Sequence, residues 1–110
     1  MNWQVKEVEG YTYFMKRGYR VSVPIVDTSG YDFIAERDGT CLRVNVKIAG
    51  LKDAKQKDSW SITKAGASRD KDAKCDIFLV YLPHKEIFIE IPGNYLDSGA
   101  SSCKRISKLL

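Results

Sequence analysis

Arg37-Asp38-Gly39-Thr40 stands between two largely apolar runs, Tyr31–Glu36 and Cys41–Ile48. An Asp-Gly pair accepts the positive backbone angles of a tight reversal, so the stretch is expected to fold as a β-hairpin. Antiparallel pairing then lays the start of the first strand beside the end of the second, bringing Asp32 next to Asn45-Val46-Lys47. Side chains alternate along a strand, which puts Asn45 and Lys47 on one face and Val46 on the other.

The flanking sequence supplies the rest of a small α/β domain. Residues from Asn2 to Arg17 read as a helix, with Trp3, Val5, Val8, Tyr11, Phe14 and Met15 at three- and four-residue spacings, Asn2 as a cap and Gly18 as a stop. Gly10 within it is expected to cost about 1 kcal/mol relative to alanine. Tyr19 to Val26 alternates as a strand does, with Pro24 confining that part to an edge or an end. Gly50 to Lys57 reads as a polar loop, and Trp60 to Thr63 as a short strand or a helix start. Ala65 to Lys74 has almost nothing to bury and is expected to be exposed. Asp76 to Leu82 is a near-continuous apolar run, the pattern of a strand covered on both faces. Pro83-His84-Lys85 turns into Glu86–Ile91, and the last dozen residues are expected to form a short basic helix. No internal repeat is present, and 110 residues suffice for one core, so a single domain over 1–110 is expected, with 98–110 as a basic tail.

Charge and cysteine content narrow the partners and the setting. The formal net charge is +4, and Lys104, Arg105 and Lys108 are unopposed by any acid after Asp97, a clustering that suits a polyanion. The three cysteines lack the close pairs of a zinc site or a disulfide framework, which implies a reducing, intracellular setting. Cys41 and Cys75 are expected to be small buried hydrophobes. The start MNWQVKEVEG has no long apolar core behind a basic opening, so a soluble cytoplasmic protein is expected. His84 sits in a turn and no serine or cysteine triad can be assembled around it.

What chemistry the hairpin suits follows from its side chains. Hydrolysis of a phosphodiester at neutral pH calls for a divalent cation on hard oxygen ligands, and Asp32 offers one such ligand beside Asn45. Lys47 supplies a compact ammonium able to stabilise charge developing on phosphorus. At about 100° per residue, Glu7 shares a helix face with Tyr11 and Phe14, whereas Glu9 is turned away from it by about 200°.

The arrangement of Glu7 on a helix, Gly18-Tyr19-Arg20-Val21 leading to a strand, Pro24, Tyr31-Asp32 and Asn45-Val46-Lys47 resembles the PD-(D/E)XK nuclease superfamily. The match covers about residues 7 to 47. It departs at Asn45, where the commoner member has a carboxylate. Members with an amide at that place, including group I intron homing endonucleases and related phage and bacterial endonucleases, are the most similar. Ser59-Trp60-Ser61-Ile62 and Cys75-Asp76-Ile77-Phe78 also resemble the later strands of that group. The resemblance implies a restriction-endonuclease-like core: an N-terminal helix on a mixed central sheet with an active-site β-hairpin. It further implies a Mg²⁺-dependent DNA endonuclease of homing or restriction type, with Mn²⁺ as substitute. Glu7, Asp32 and Asn45 would hold metal and Lys47 would complete the catalytic set. The alternatives are a Holliday-junction resolvase, a non-catalytic DNA-binding protein of the same fold, and a structural protein with a chance match.

DNA would be held largely through its phosphates. Lys52, Lys55 and Lys57 follow the active-site strand, and Arg69, Lys71, Lys74, Lys104, Arg105 and Lys108 extend the basic surface. One small domain places one site on one strand, so a homodimer or higher oligomer is expected on duplex or junction DNA. A phage-encoded protein of this kind would act in the host cell cytoplasm.

Overall fold

A computed structural model describes residues 2–25, 30–51, 60–63, 75–94 and 103–105. Helix α1 (Trp3–Met15) is followed by strands β1 (Arg20–Ser22), β2 (Phe33–Arg37), β3 (Thr40–Ile48), β4 (Gly50–Leu51), β5 (Trp60–Thr63), β6 (Ile77–Leu82), β7 (Ile87–Pro92) and β8 (Cys103–Arg105). Five strands form a sheet in the order β1-β2-β3-β6-β7, and β4-β5-β8 form a smaller sheet. All pairings are antiparallel except β3 with β6, so the central sheet is mixed, as expected.

Helix α1 starts where Asn2 accepts a hydrogen bond from the Gln4 amide at 2.9 Å. It ends in a turn where the Tyr19 amide donates to the Phe14 carbonyl at 3.1 Å, just after Gly18. Gly10 faces the sheet: a Cβ there would come within 3.2 Å of both Leu79 Cδ2 and Val46 Cγ2. Its helix-propensity cost is thus set against close approach of helix to sheet.

The two faces of the sheet hold two apolar clusters. Between α1 and the sheet, Phe14 of the helix packs with Phe33, Ala35, Val44, Val46 and Leu79. The second cluster comprises Ala49, Phe78, Val80, Leu82 and Ile91. Residues 78–82 of β6 are buried without interruption, the outcome expected of a strand covered on both sides.

Four expectations are corrected. Strand β1 spans only Arg20–Ser22, because Pro24 has no amide hydrogen to extend the ladder. Cys103–Arg105 is a strand rather than part of a basic helix: pairing with β5 gives its backbone partners that so short a segment could not find alone. Cys41 is exposed, because it stands beside the tight turn and outside both apolar clusters. Cys75 does pack against the second cluster, and burial pushes its thiol up to about 11. Gly50–Leu51, at the start of the expected loop, pairs with Trp60 and Ser61, which settles Trp60–Thr63 as a strand. The Ala65–Lys74 segment lies outside the described residues. Among the described residues no helix is long and apolar enough to cross a membrane.

Candidate active site

The hairpin register is Arg37 opposite Thr40 through Phe33 opposite Val44. Beyond Phe33 the regular ladder stops and side chains take over. The Asp32 amide donates to the Val44 carbonyl at 2.7 Å. The Asp32 carboxylate accepts from the Val46 amide at 2.6 Å, a bond that a main-chain carbonyl would otherwise provide. One carbon further along the same principle, the Asn45 amide nitrogen donates to the Gly30 carbonyl at 3.0 Å. A carbonyl only accepts, so this bond orients the amide with its nitrogen toward Gly30 and its oxygen away.

Asn45 and Lys47 lie on the face opposite Val44 and Val46, as strand alternation requires. Lys47 is 8 % exposed, and its Nζ stands 5.6 Å from the centre of the Phe78 ring, in the second cluster. Its stem is thus packed in apolar surroundings, which restricts where the ammonium can go.

Glu7 comes from the other side. A cavity of about 130 Å³ at the open end of the hairpin is lined by Glu7, Tyr11, Val23, Pro24, Tyr31 and Asp32. Both candidate carboxylates therefore border one space, despite their separation in the chain. Tyr11 registers the same proximity: burial first, then the charges of Glu7 and Asp32, push its phenol up, so it remains protonated. Glu9 is turned away, pairing with Lys6 at 2.9 Å and bordering a separate cavity with Thr12, Tyr13, Lys16, Arg17 and Phe88. There Tyr13 donates to Glu90 at 2.7 Å, and burial with that carboxylate pushes its phenol up to about 12.

The two carboxylates that border the cavity, Glu7 and Asp32, are hard oxygen donors of the kind Mg²⁺ and Mn²⁺ accept, whereas Asn45 does not line it. Among the described residues no three His, Cys, Asp or Glu side chains converge.

Lys104 and Arg105 lie on β8, opposite Ile62 and Ser61, in the small sheet whose strand β4 directly follows β3. Lys52, Lys55, Lys57, Arg69, Lys71, Lys74 and Lys108 fall outside the described residues. His84 is exposed in the turn before β7.

Sequence reading did not assign four residues around the site. Trp3 donates its indole N–H to Glu7 Oε1 at 3.1 Å, a contact that the i, i+4 spacing on a helix allows. Gly30 acts through its carbonyl, which carries no residue-specific signal. Arg43 and Asp76 brace the neighbouring strands: the Asp76 carboxylate accepts from the Arg43 amide at 2.8 Å and from its guanidinium at 3.2 Å.

A family model described as PD-(D/E)XK endonuclease matches residues 4–105. Among solved structures, the chain is similar to the bacterial homing endonuclease I-Ssp6803I, with a TM-score of 0.72 and 21% identity, covering 89% of this chain and 67% of that one. At that identity the likeness speaks for the fold. No curated protein matches.

Proposed function

The chain belongs to the PD-(D/E)XK endonuclease family, and from that premise we propose that it is a divalent-metal-dependent DNA endonuclease whose site is Glu7, Asp32, Asn45 and Lys47. The observation that carries this reading is the shared cavity: Glu7 from α1 and Asp32 from the hairpin border one space, which Asn45 and Lys47, on the other face of β3, do not line. A bound Mg²⁺, with Mn²⁺ as substitute, supplies charge neutralisation at the phosphate and a more acidic attacking water.

The chain's own groups do the rest. Asp32 and Glu7 offer the charged oxygens, and the bond from the Val46 amide fixes the orientation of the Asp32 carboxylate. Asn45 contributes an oxygen oriented by its bond to Gly30. Lys47 brings a positive charge on a stem immobilised by burial, so little rearrangement is needed as charge develops on phosphorus. The basic residues of β8 and of the segments after β4 and β5 would neutralise DNA phosphates, making affinity fall steeply with salt.

A homing or restriction-like role fits the resemblance to amide-bearing members, and the resolvase remains the second reading. Self-association would let two such sites meet two DNA strands, and the reducing cytoplasm, a host's if the gene is phage-borne, suits the unpaired thiols of Cys41 and Cys75. The test incubates linear duplex, supercoiled plasmid and a four-way junction with the protein in Mg²⁺ or EDTA, beside Asp32→Ala and Lys47→Ala. Mg²⁺-dependent cutting by the wild type alone is expected. DNA binding without cutting in either Mg²⁺ or Mn²⁺ sinks the enzyme reading, and preference for the junction favours the resolvase.

A further inference from the structure

We infer that Trp3 is a positioning residue that holds the Glu7 carboxylate toward the cavity it shares with Asp32; this rests on the nuclease reading above. Trp3 stands one turn before Glu7 on α1, and its Nε1 donates to Glu7 Oε1 at 3.1 Å. The indole is 42 % exposed. It is therefore not there chiefly for core packing, and its one polar group is engaged with the candidate ligand.

A glutamate on a helix surface ordinarily samples several rotamers, and each must be given up when it binds. The indole removes part of that freedom by engaging one carboxylate oxygen and leaving the other for the cavity. On the far side, one turn after Glu7, Tyr11 closes the wall with its ring edge-on to Phe33 at 5.0 Å and 87°. The remaining cation of this helix segment is not a competitor, because Lys6 pairs with Glu9 at 2.9 Å. Groups that orient a ligand in this way commonly change metal affinity about 10- to 100-fold when removed. Exposure of the Trp3 bond to water places it at the low end of that range.

The test is calorimetric titration of the DNA-free protein with Mn²⁺, with thermal melts of each metal-free variant. Trp3→Phe keeps an aromatic ring and loses the donor; Trp3→Gln loses the ring and keeps a side-chain N–H able to reach a carboxylate at i+4. Trp3→Phe is expected to weaken Mn²⁺ binding about tenfold with an unchanged melt, and Trp3→Gln to recover most of the loss. Wild-type affinity in Trp3→Phe overturns the inference, as does an equal loss in both variants, which assigns the effect to the ring. A wild type that binds neither Mn²⁺ nor Mg²⁺ overturns the nuclease reading and this inference with it.

Discussion

The two ends of the β2–β3 hairpin are closed by different physics. At the tight end, Asp38 and Gly39 adopt φ of 53° and 81°, and the reversal is complete within those two residues. Nothing lies within 4 Å of a Cβ placed on Gly39, so it is the positive φ and not lack of space that calls for glycine there. At the open end the pairing gives out at Phe33 and Val44, and two polar side chains continue the hydrogen bonding. Those side chains, Asp32 and Asn45, are also candidate site groups. The comparison teaches that a local signal can make a hairpin while leaving its far end to be held by residues with a second task.

Asp32→Ala should separate the ends most sharply. It removes a candidate ligand and leaves the Val46 amide without its acceptor, so plasmid cleavage in Mg²⁺ should fall more than about 100-fold while the turn is untouched. Retention of wild-type cutting would show that the open end serves the fold alone. Asn45→Glu tests the amide. A carboxylate has no hydrogen to offer the Gly30 carbonyl, so metal-free stability should fall by about 1–3 kcal/mol in denaturant titration. An unchanged midpoint would mean that the amide is there only for its oxygen.

Gly39→Ala addresses the tight end. A side chain at that positive φ should cost about 1–2 kcal/mol, with the cutting rate per folded molecule preserved, as read by melts and plasmid assays in parallel. The smallest effect concerns the brace beside the open end. The Arg43 guanidinium and amide hold the Asp76 carboxyl below its usual range. A depressed folded pKa favours the charged form in the folded state, so this contribution is present above the ordinary carboxylate range and is lost as pH falls through the lower folded value. Asp76→Asn should therefore flatten the acid limb of stability, visible in melting temperatures taken from about pH 6 down to about pH 2.

Much of the central sheet was legible because its signals are local. The Asp-Gly pair, the alternation around Val44 and Val46, and the apolar run of β6 each point to one conformation whatever surrounds them. The segments misread were short and lacked such signals. Cys103–Arg105 is strand because β5 offers it an edge, a fact that its own composition does not encode. Cys41 stands beside the tight turn and outside both clusters, whereas burial of Cys75 depends on β6 and its neighbours. Within the candidate site, Glu7 was distinguishable from Glu9 by helical phase, and the structure turns Glu9 to Lys6. Trp3 reads as one more apolar helix position until its indole is seen to meet Glu7.

Taken by itself, the sequence determined the hairpin, its face assignments and the phase of α1, because the periods of strand and helix are properties of the backbone. Tertiary structure alone decided that Glu7 and Asp32 border one cavity, that a carbonyl at Gly30 orients Asn45, and that Lys47 is buried. Each of those depends on where separate segments pack against one another. Such contacts arise from burial of apolar surface that is blind to the polar groups it brings together.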